Sequence, residues 1–164
     1  CSIREWVNDL KNNFNIIPNK AKRLAPPNLS TDDLIFSYIR GYIDGDGCIG
    51  LQNNKEIDIL RITFTSSSYE ILKWIKIIVD NKFTYQLREQ NITKSNQSNC
   101  FHYSVSGIKA IHLFDKLKQL DVPILERKWN NPKVLDRILQ YKADYPQYFP
   151  SPLEINQNSA IIPV

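Results

Sequence analysis

Two carboxylates, Asp44 and Asp46, stand among glycines where a helical pattern gives way to a strand-like run. The helical pattern begins near Leu34, and the strand-like run begins at Cys48. Carboxylates are unfavourable at the C-terminus of a helix, because the helix dipole places partial negative charge there. The pair therefore predicts that a cation, or another positive partner, lies at this helix end.

The glycines around these acids indicate close packing and a sharp change of direction. Gly41 falls in the middle of the helical pattern, where glycine costs about 1 kcal/mol relative to alanine. Close approach of a second backbone is the expected reason for a glycine at such a position. Gly45 and Gly47 are predicted to let the chain leave the helix through conformations that a side chain would oppose.

The segment 36–49 resembles the LAGLIDADG motif of the homing endonucleases and of the intron maturases derived from them. It reads FSYIRGYIDGDGCI. The match runs through Ile39 and residues 41–47, whereas Arg40 stands where the family usually has a small residue. The resemblance covers about residues 30–142. The alternative interpretation of the same residues is an acidic helix cap followed by a turn.

The order of periodic segments predicts helix, strand, strand, helix, strand, strand, helix and a further helix. Helices are predicted at about 32–45, 69–80, 108–120 and 132–142, and strands at 48–53, 57–65, 83–90 and 100–106. Residues 91–99 and 125–129 are predicted to be loops. This αββαββα order is what the resemblance implies: an α+β fold in which a saddle-shaped antiparallel sheet is backed by helices on one face.

The open face of that sheet is the surface that meets double-stranded DNA in this family. Alternation along the strands predicts which side chains point outward, and most carry amide, hydroxyl or guanidinium groups that can pair with base edges. The predicted set is Gln52, Asn54, Ile59, Arg61, Thr63, Gln86, Arg88, Gln90, His102 and Ser104. The alternative is the ordinary polar face of a half-exposed antiparallel sheet.

Hydrolysis of a DNA phosphodiester needs an activated water and neutralisation of charge on the leaving oxygen, and a divalent metal ion supplies both. The resemblance implies that Asp46 is the direct ligand of Mg²⁺ or Mn²⁺, with the carbonyl of Gly45 nearby, and that Asp44 has a structural role in the motif turn. It also implies that Lys128 is the active-site lysine, which stabilises charge or orients water. Ser66 takes the position of a polar residue that organises water.

One acid for each motif is too few to hold a cation, so two motif helices are expected to pack at Gly41 and bring two Asp46 side chains together. A homodimer on a pseudo-palindromic target is the simplest such assembly. The other arrangement uses a partner repeat, because residues 2–24 echo residues 106–128 as an amphipathic helix, a proline turn and a basic residue. In that arrangement Lys20 would be a second candidate lysine. In a third interpretation, the N-terminal helix packs on the domain or on the DNA backbone.

The chain divides into a basic N-terminal arm (1–28), an endonuclease domain (29–143) and an irregular proline-rich tail (144–164). The arm holds five basic and two acidic residues, which would also suit a solvated surface. Because the chain starts at Cys1 and contains no methionine, it is expected to be a processed, trimmed or excised segment.

The composition is that of a globular protein, and its net charge is compatible with nucleic-acid binding but not diagnostic of it. The chain has 164 residues, of which 42% are hydrophobic and 23% charged, with a net charge of +4. No apolar run reaches the roughly 20 residues of a membrane span, and no signal peptide is evident. Three widely spaced cysteines argue for a reducing compartment and against a zinc site or disulfides. Together with the resemblance to DNA endonucleases, these features predict an intracellular, DNA-containing compartment, either cytoplasm with nucleoid or an organelle, and not secretion.

Three functions fit these observations. The first is a site-specific double-strand DNA endonuclease, a homing endonuclease of the group I intron or intein type, that cuts a long target. The second is an RNA maturase that assists intron splicing on the same fold, and the third is a DNA-binding regulator that does not cleave. Retention of Asp46 favours the nuclease, because splicing assistance does not require that acid.

Overall fold

The computed structural model describes residues 3–14, 25–54, 57–84 and 90–150. The described helices are α1 (Ile3–Phe14), α2 (Asp32–Asp46), α3 (Tyr69–Lys82), α4 (Gly107–Lys118), α5 (Glu126–Trp129) and α6 (Pro132–Asp144), and a 3₁₀ turn follows at Pro146–Tyr148. The described strands are β1 (Cys48–Asn54), β2 (Ile57–Ser66), β3 (Thr93–Lys94) and β4 (Phe101–Ser106). The predicted α+β class and αββαββα order are confirmed.

The four strands form one antiparallel sheet in the order β1-β2-β4-β3. Residues that pair across strands share a face, so the register fixes which side chains lie together. Leu60, Ile62 and Phe64 of β2 are buried on one side, while Arg61 between them is exposed on the other. The predicted alternation of β2 is confirmed, and it separates a core face from an outer face.

The core lies between the inner face of the sheet and helices α2, α3 and α4. Each of these helices contributes an apolar stripe at the 3–4-residue spacing of a helix packed on one side. Its fully buried members include Phe36, Ile39 and Ile43 of α2, Ile71, Leu72, Ile75 and Val79 of α3, and Leu113, Phe114 and Leu117 of α4. Burial of one such side chain contributes about 1.5–3 kcal/mol, so the position of α2 on the sheet is strongly determined.

Helix α2 begins and ends where its sequence favours it. Thr31 is the N-cap and accepts a hydrogen bond from the backbone N–H of Leu34 at 3.3 Å, which satisfies one of the unpaired N–H groups of the first turn. The helix ends at Asp46, and the N–H of Gly47 donates to the carbonyl of Ile43 at 3.0 Å. A Cβ at Gly47 would lie 2.6 Å from the Cα of Ile43, so glycine is required there for space.

The predicted role of Gly45 in the turn is wrong. Gly45 lies within the last turn of α2, and a Cβ there would meet nothing within 4 Å. A backbone with positive φ occurs at Gly107 instead, where φ is +65°. This glycine joins β4 directly to α4, and its missing Cβ permits the left-handed conformation.

Two segments differ from the predicted pattern. Strand β3, which pairs with the outer edge of β4, lies at Thr93–Lys94 and not at 83–90, and so falls inside the stretch predicted to be a polar loop. A hydrogen bond from Ser95 N to Cys100 O at 2.9 Å closes the β3–β4 hairpin. Phe83 is the C-cap of α3 rather than part of a strand, and residues 85–89 lie outside the described ranges.

Residues 126–129 form the short helix α5 instead of a loop, because the fully buried Trp129 anchors this turn to the core.

Of the helices in the described ranges, none is long and apolar enough to cross a membrane.

Candidate active site and nucleic-acid interface

The end of α2 is held by the side chain of Lys128. Its Nζ donates to the carbonyl oxygens of Ile43 at 2.7 Å, Asp44 at 2.9 Å and Gly47 at 2.7 Å. The last carbonyls of a helix lack partners within the helix and carry the negative end of its dipole. The positive partner predicted for this acidic helix end is therefore present, and α5 of the same chain supplies it.

These contacts give Lys128 a structural role, as a cap of α2, in addition to the predicted catalytic role. An ammonium group has three N–H donors, and the three carbonyl contacts engage all of them. The side chain is half-buried against α2. Its role as the active-site lysine stays a prediction. A catalytic ammonium at this position would also cap the motif helix.

The two motif acids have different surroundings. Asp44 is half-buried, and its Oδ1 accepts a hydrogen bond from Nε1 of Trp129 at 2.6 Å. Asp46 and Gly45 are exposed on the last turn of α2. Asp44 is therefore engaged by the chain itself, whereas the carboxylate of Asp46 faces the exterior, where a ligand can reach it.

The exposed end of α2 offers oxygen donors that suit a hard divalent cation. The carboxylate of Asp46 and the carbonyl of Gly45 are ligands of the type that Mg²⁺ prefers. Within the described residues, no group of three or more acidic, histidine or cysteine side chains could hold a metal ion. The donors present here, one carboxylate and one carbonyl, match a hard divalent cation in chemical type.

Arg40 is a site feature that the sequence analysis did not assign. It is buried, and its Nη1 donates to the carbonyls of Leu117 at 2.9 Å and Leu120 at 2.8 Å. Its guanidinium carbon lies 5.4 Å from the centroid of the Trp129 ring. Burial lowers the pKa of Arg40, while the charge of Asp44 acts in the opposite direction. One sign of this role was present in the sequence: Arg40 stands where the motif usually has a small residue.

Ser66 lies on the inner side of the sheet, opposite to the face that was predicted to meet DNA. It is buried and pairs with Phe101, and its hydroxyl accepts a hydrogen bond from the backbone N–H of Ser68 at 3.0 Å. The neighbouring Thr65 carbonyl accepts from the Tyr42 hydroxyl at 3.0 Å, and burial raises the pKa of that tyrosine. Ser66 therefore shapes the turn into α3, and its role in organising water stays a prediction.

The outer face of the sheet is continuous across the three longer strands. The register places on it Cys48, Gly50, Gln52 and Asn54 of β1, Ile57, Ile59, Arg61, Thr63 and Thr65 of β2, Thr93 of β3, and His102, Ser104 and Ser106 of β4. The structure thus brings together most of the residues predicted to contact DNA. Gln86 and Arg88 lie outside the described residues.

Polar side chains on the outer face are paired with one another across strands. Arg61 Nη1 donates to Gln52 Oε1 at 3.0 Å. The hydroxyls of Thr63 and Ser104 lie 3.0 Å apart, and Thr65 Oγ1 lies 3.1 Å from Nδ1 of His102. Since these side chains orient one another before any ligand binds, they form a preorganised polar surface.

A shallow groove of about 220 Å³ runs over this surface. Its walls are polar: Gln52, Arg61, Gln90, Asn91, Thr93, His102, Ser104 and Ser106. The side-chain amide of Gln90 lies 2.8 Å from the Ser106 hydroxyl, so the segment after the undescribed residues 85–89 returns to the outer face. Amide, hydroxyl, imidazole and guanidinium groups in one groove can both donate and accept hydrogen bonds.

The capping role of Lys128 predicts a loss of stability that does not depend on any ligand. Lys128→Met should lower the free energy of unfolding by about 2–3 kcal/mol, because it removes charged hydrogen bonds from three helix-end carbonyls. Urea unfolding at one fixed protein concentration, without DNA or divalent metal, measures this change.

The matched control is Lys133→Met, which removes an exposed lysine from the first turn of α6. Its unfolding free energy should stay within a few tenths of a kcal/mol of wild type. Wild-type stability in Lys128→Met would contradict the capping role and leave Lys128 with a purely catalytic assignment.

Residues 33–118, more than half of the chain, match the family described as LAGLIDADG-like domain. No curated protein matches the chain.

Among solved structures, the LAGLIDADG meganuclease I-AabMI bound to uncleaved DNA aligns with a TM-score of 0.43 and 14% identity, over 68% of this chain and 49% of that one. The homing endonuclease I-CvuI, in complex with the I-CreI target and Mg, aligns with a TM-score of 0.42 and 18% identity, over 71% and 83% of the two chains. I-SmaMI, bound to an uncleaved DNA target in the presence of calcium ions, aligns with a TM-score of 0.41 and 15% identity, over 82% and 51%. The chain thus spans about half the length of I-AabMI and I-SmaMI. On the match over residues 33–118, the chain belongs to the LAGLIDADG family.

Proposed function

We propose that this chain is a site-specific endonuclease that hydrolyses phosphodiester bonds in a long double-stranded DNA target with the help of Mg²⁺ or Mn²⁺. The observation that carries the proposal is the exposed carboxylate of Asp46 at the end of a helix where Asp44 is engaged by Trp129 and the carbonyls of Ile43 and Asp44 are engaged by Lys128. Family membership supports it.

The outer face of the sheet is the proposed DNA-binding surface. Its paired side chains can read base edges in the major groove, which distinguishes all four base pairs. Arg61 is the strongest candidate for guanine, because a guanidinium donates two parallel hydrogen bonds to the acceptors O6 and N7, and Gln52 already orients it. The surface can thus supply the sequence selectivity that a site-specific enzyme requires.

Asp46 and the carbonyl of Gly45 are the groups of this chain that would hold the metal ion. When bound, a divalent ion activates water and neutralises charge on the leaving oxygen. Lys128 fixes the direction of the last turn of α2, and so limits the positions open to the carboxylate of Asp46. Its positive charge at the same helix end also favours the approach of a phosphate.

A homodimer through α2 is the proposed assembly. Leu34, Gly41 and Gly45 are exposed at the spacing of one helix face, and a Cβ on either glycine meets nothing within 4 Å in this chain. Small residues allow two helices to approach at the short end of the roughly 8–10 Å interaxial range. Two such helices would bring two Asp46 side chains together, one for each DNA strand. A partner repeat would be the alternative source of the second helix.

Selection from a plasmid library of random long duplexes, with and without Mg²⁺, tests the function. Sequence-specific double-strand cuts that require Mg²⁺ support the endonuclease. Specific DNA binding without cuts would favour the non-cleaving regulator, and binding of intron RNA without either would favour the maturase.

Substitution of Asp46 tests the catalytic assignment. Asp46→Asn should abolish cleavage while DNA affinity stays near wild type, because loss of a negative charge near phosphates does not weaken attraction to DNA. Cleavage and gel-shift assays on the selected target measure the two effects. Asp136→Asn, which neutralises an exposed acid on α6, should leave both unchanged. Strand cutting by Asp46→Asn would refute the assignment.

Substitution of Arg61 tests the binding surface. Arg61→Ala should weaken binding to the selected target by about 1–3 kcal/mol and relax the base preference at one position in each half-site. Arg137→Ala is the matched control, because this arginine lies on α6, away from the outer face, and bonds to the Asp58 carbonyl. Equal losses in the two variants would mean that the outer face does not read the target.

Substitution of Gly41 tests the assembly. Gly41→Leu should force the motif helices apart, so the protein should sediment as one chain per duplex and cleavage should fall with dimerisation. Ala143→Leu, which adds the same side chain at an exposed position of α6, should preserve both. If wild type cuts as a one-to-one complex with DNA, the homodimer is wrong.

A further inference from the structure

A buried guanidinium lies in the middle of the motif helix. Arg40 is 1% exposed, and it donates to the carbonyls of Leu117 and Leu120 at the C-terminal end of α4. Both bonds come from the same nitrogen, Nη1. Leu117 lies in the last turn of α4 and Leu120 two residues beyond it, and each carbonyl also accepts a backbone hydrogen bond from the following turn. Arg40 therefore joins the middle of α2 to the chain at the end of α4.

The same guanidinium lies against the ring of Trp129, at 5.4 Å from its centroid. Trp129 is fully buried, and its Nε1 donates to Oδ1 of Asp44, four residues after Arg40 on α2. Lys118 of α4 donates to the backbone carbonyl of Trp129 at 3.3 Å. The ring is thus held between two residues of α2, and its backbone is tied to α4.

Trp129 follows Lys128 directly on the four-residue helix α5. Because α5 is a single helical turn, the contacts that hold the ring of Trp129 also hold the backbone of the adjacent Lys128, from which the lysine side chain extends. The chain of contacts therefore runs from Arg40 through Trp129 to Lys128 and Asp44, and both of the last two act on the turn that carries Asp46.

We propose that Arg40 and Trp129 are positioning residues of the active site, which act through Lys128 and Asp44 to set the direction of the Asp46 carboxylate. This inference rests on the proposed endonuclease function and adds two residues to its site. Neither residue is exposed, so neither touches DNA or metal.

Stability alone does not account for a buried arginine at this position. Transfer of a guanidinium from water into the interior is costly, and replacement of buried charges by apolar side chains of similar volume is often neutral or stabilising. Nε of Arg40 also has no hydrogen-bond partner among the described residues, which adds to the cost. A planar guanidinium that bonds two carbonyls and lies beside an indole instead favours one geometry, and a lysine or methionine side chain would not reproduce its contact with the ring.

The test compares three variants with a matched control. Arg40→Met removes the guanidinium but keeps an apolar side chain of similar length, Arg40→Lys keeps the charge, and Trp129→Phe keeps a ring but removes the donor to Asp44. Arg137→Met is the control, since its guanidinium carbon lies 5.5 Å from the Tyr141 ring and its Nε bonds to a backbone carbonyl, yet it lies on α6, away from the end of α2.

Steady-state cleavage of the selected target should separate positioning from binding. Loss of a positioning partner typically costs about 10–100-fold in activity, and we expect this loss in kcat for all three variants. KM for DNA should change by no more than about twofold, because the groups that bind substrate are untouched. Arg137→Met should keep the wild-type kcat. Wild-type kcat in Arg40→Lys and Trp129→Phe would overturn the inference.

A second readout does not depend on cleavage. The Nε1–H of Trp129, resolved by ¹⁵N NMR in a Trp6→Phe, Trp74→Phe background, should exchange slowly with solvent and shift when Asp44→Asn is introduced. Arg40→Lys should accelerate the exchange, and Arg137→Met should not.

These outcomes distinguish the inference from the function on which it rests. If wild type cuts no DNA, the endonuclease proposal fails, and the indole exchange alone decides whether Arg40 positions Trp129. If Arg40→Met does not fold, Arg40→Lys and Trp129→Phe decide. Unchanged indole exchange in Arg40→Lys would overturn the positioning role in every case.

Discussion

A helix that ends in two aspartates needs positive charge at its last carbonyls, and Lys128 supplies it through three hydrogen bonds. Without that ammonium, the helix dipole and the carboxylates of Asp44 and Asp46 would place like charges together. The contact spans 84 residues of sequence between Lys128 and Asp44, and the sheet and α4 lie in the chain between them. The end of α2 therefore depends on the whole fold.

The requirements of this helix end explain several residues that otherwise look unrelated. Gly47 lacks a Cβ because one would lie 2.6 Å from the Cα of Ile43, and this close passage also presents its carbonyl to Lys128. Trp129 is buried beside Lys128 and engages Asp44. Arg40 completes the arrangement from within α2 by joining it to the end of α4. The result is a rigid turn from which Asp46 remains exposed.

Much of this architecture could be predicted from the sequence, and the failures have physical causes. Alternation identified β2 and its outer face, and the acids at the helix end indicated a positive partner. The two-residue strand β3 was missed because its position is set by pairing with His102 and Phe101 rather than by local pattern. Helix α5 was missed because four residues carry no periodicity, and contacts of Lys128 and Trp129 with residues distant in sequence fix it. The role of Arg40 depends on carbonyls 77 and 80 residues away, which no local pattern encodes.

Under the proposed endonuclease function, the motif helix has to satisfy two requirements that conflict at its C-terminal end. Stability favours neutralising every acid and carbonyl there, whereas hydrolysis of a phosphodiester requires one carboxylate left open to a cation. The chain meets both requirements with different residues. Trp129 donates a hydrogen bond to Asp44, Lys128 donates to the carbonyls of Ile43 and Asp44, and Asp46 is left exposed. Since the partners of the engaged groups come from α5, the short helix decides which acid is available. Variation in the 126–129 turn would therefore alter activity even where the motif itself stays the same.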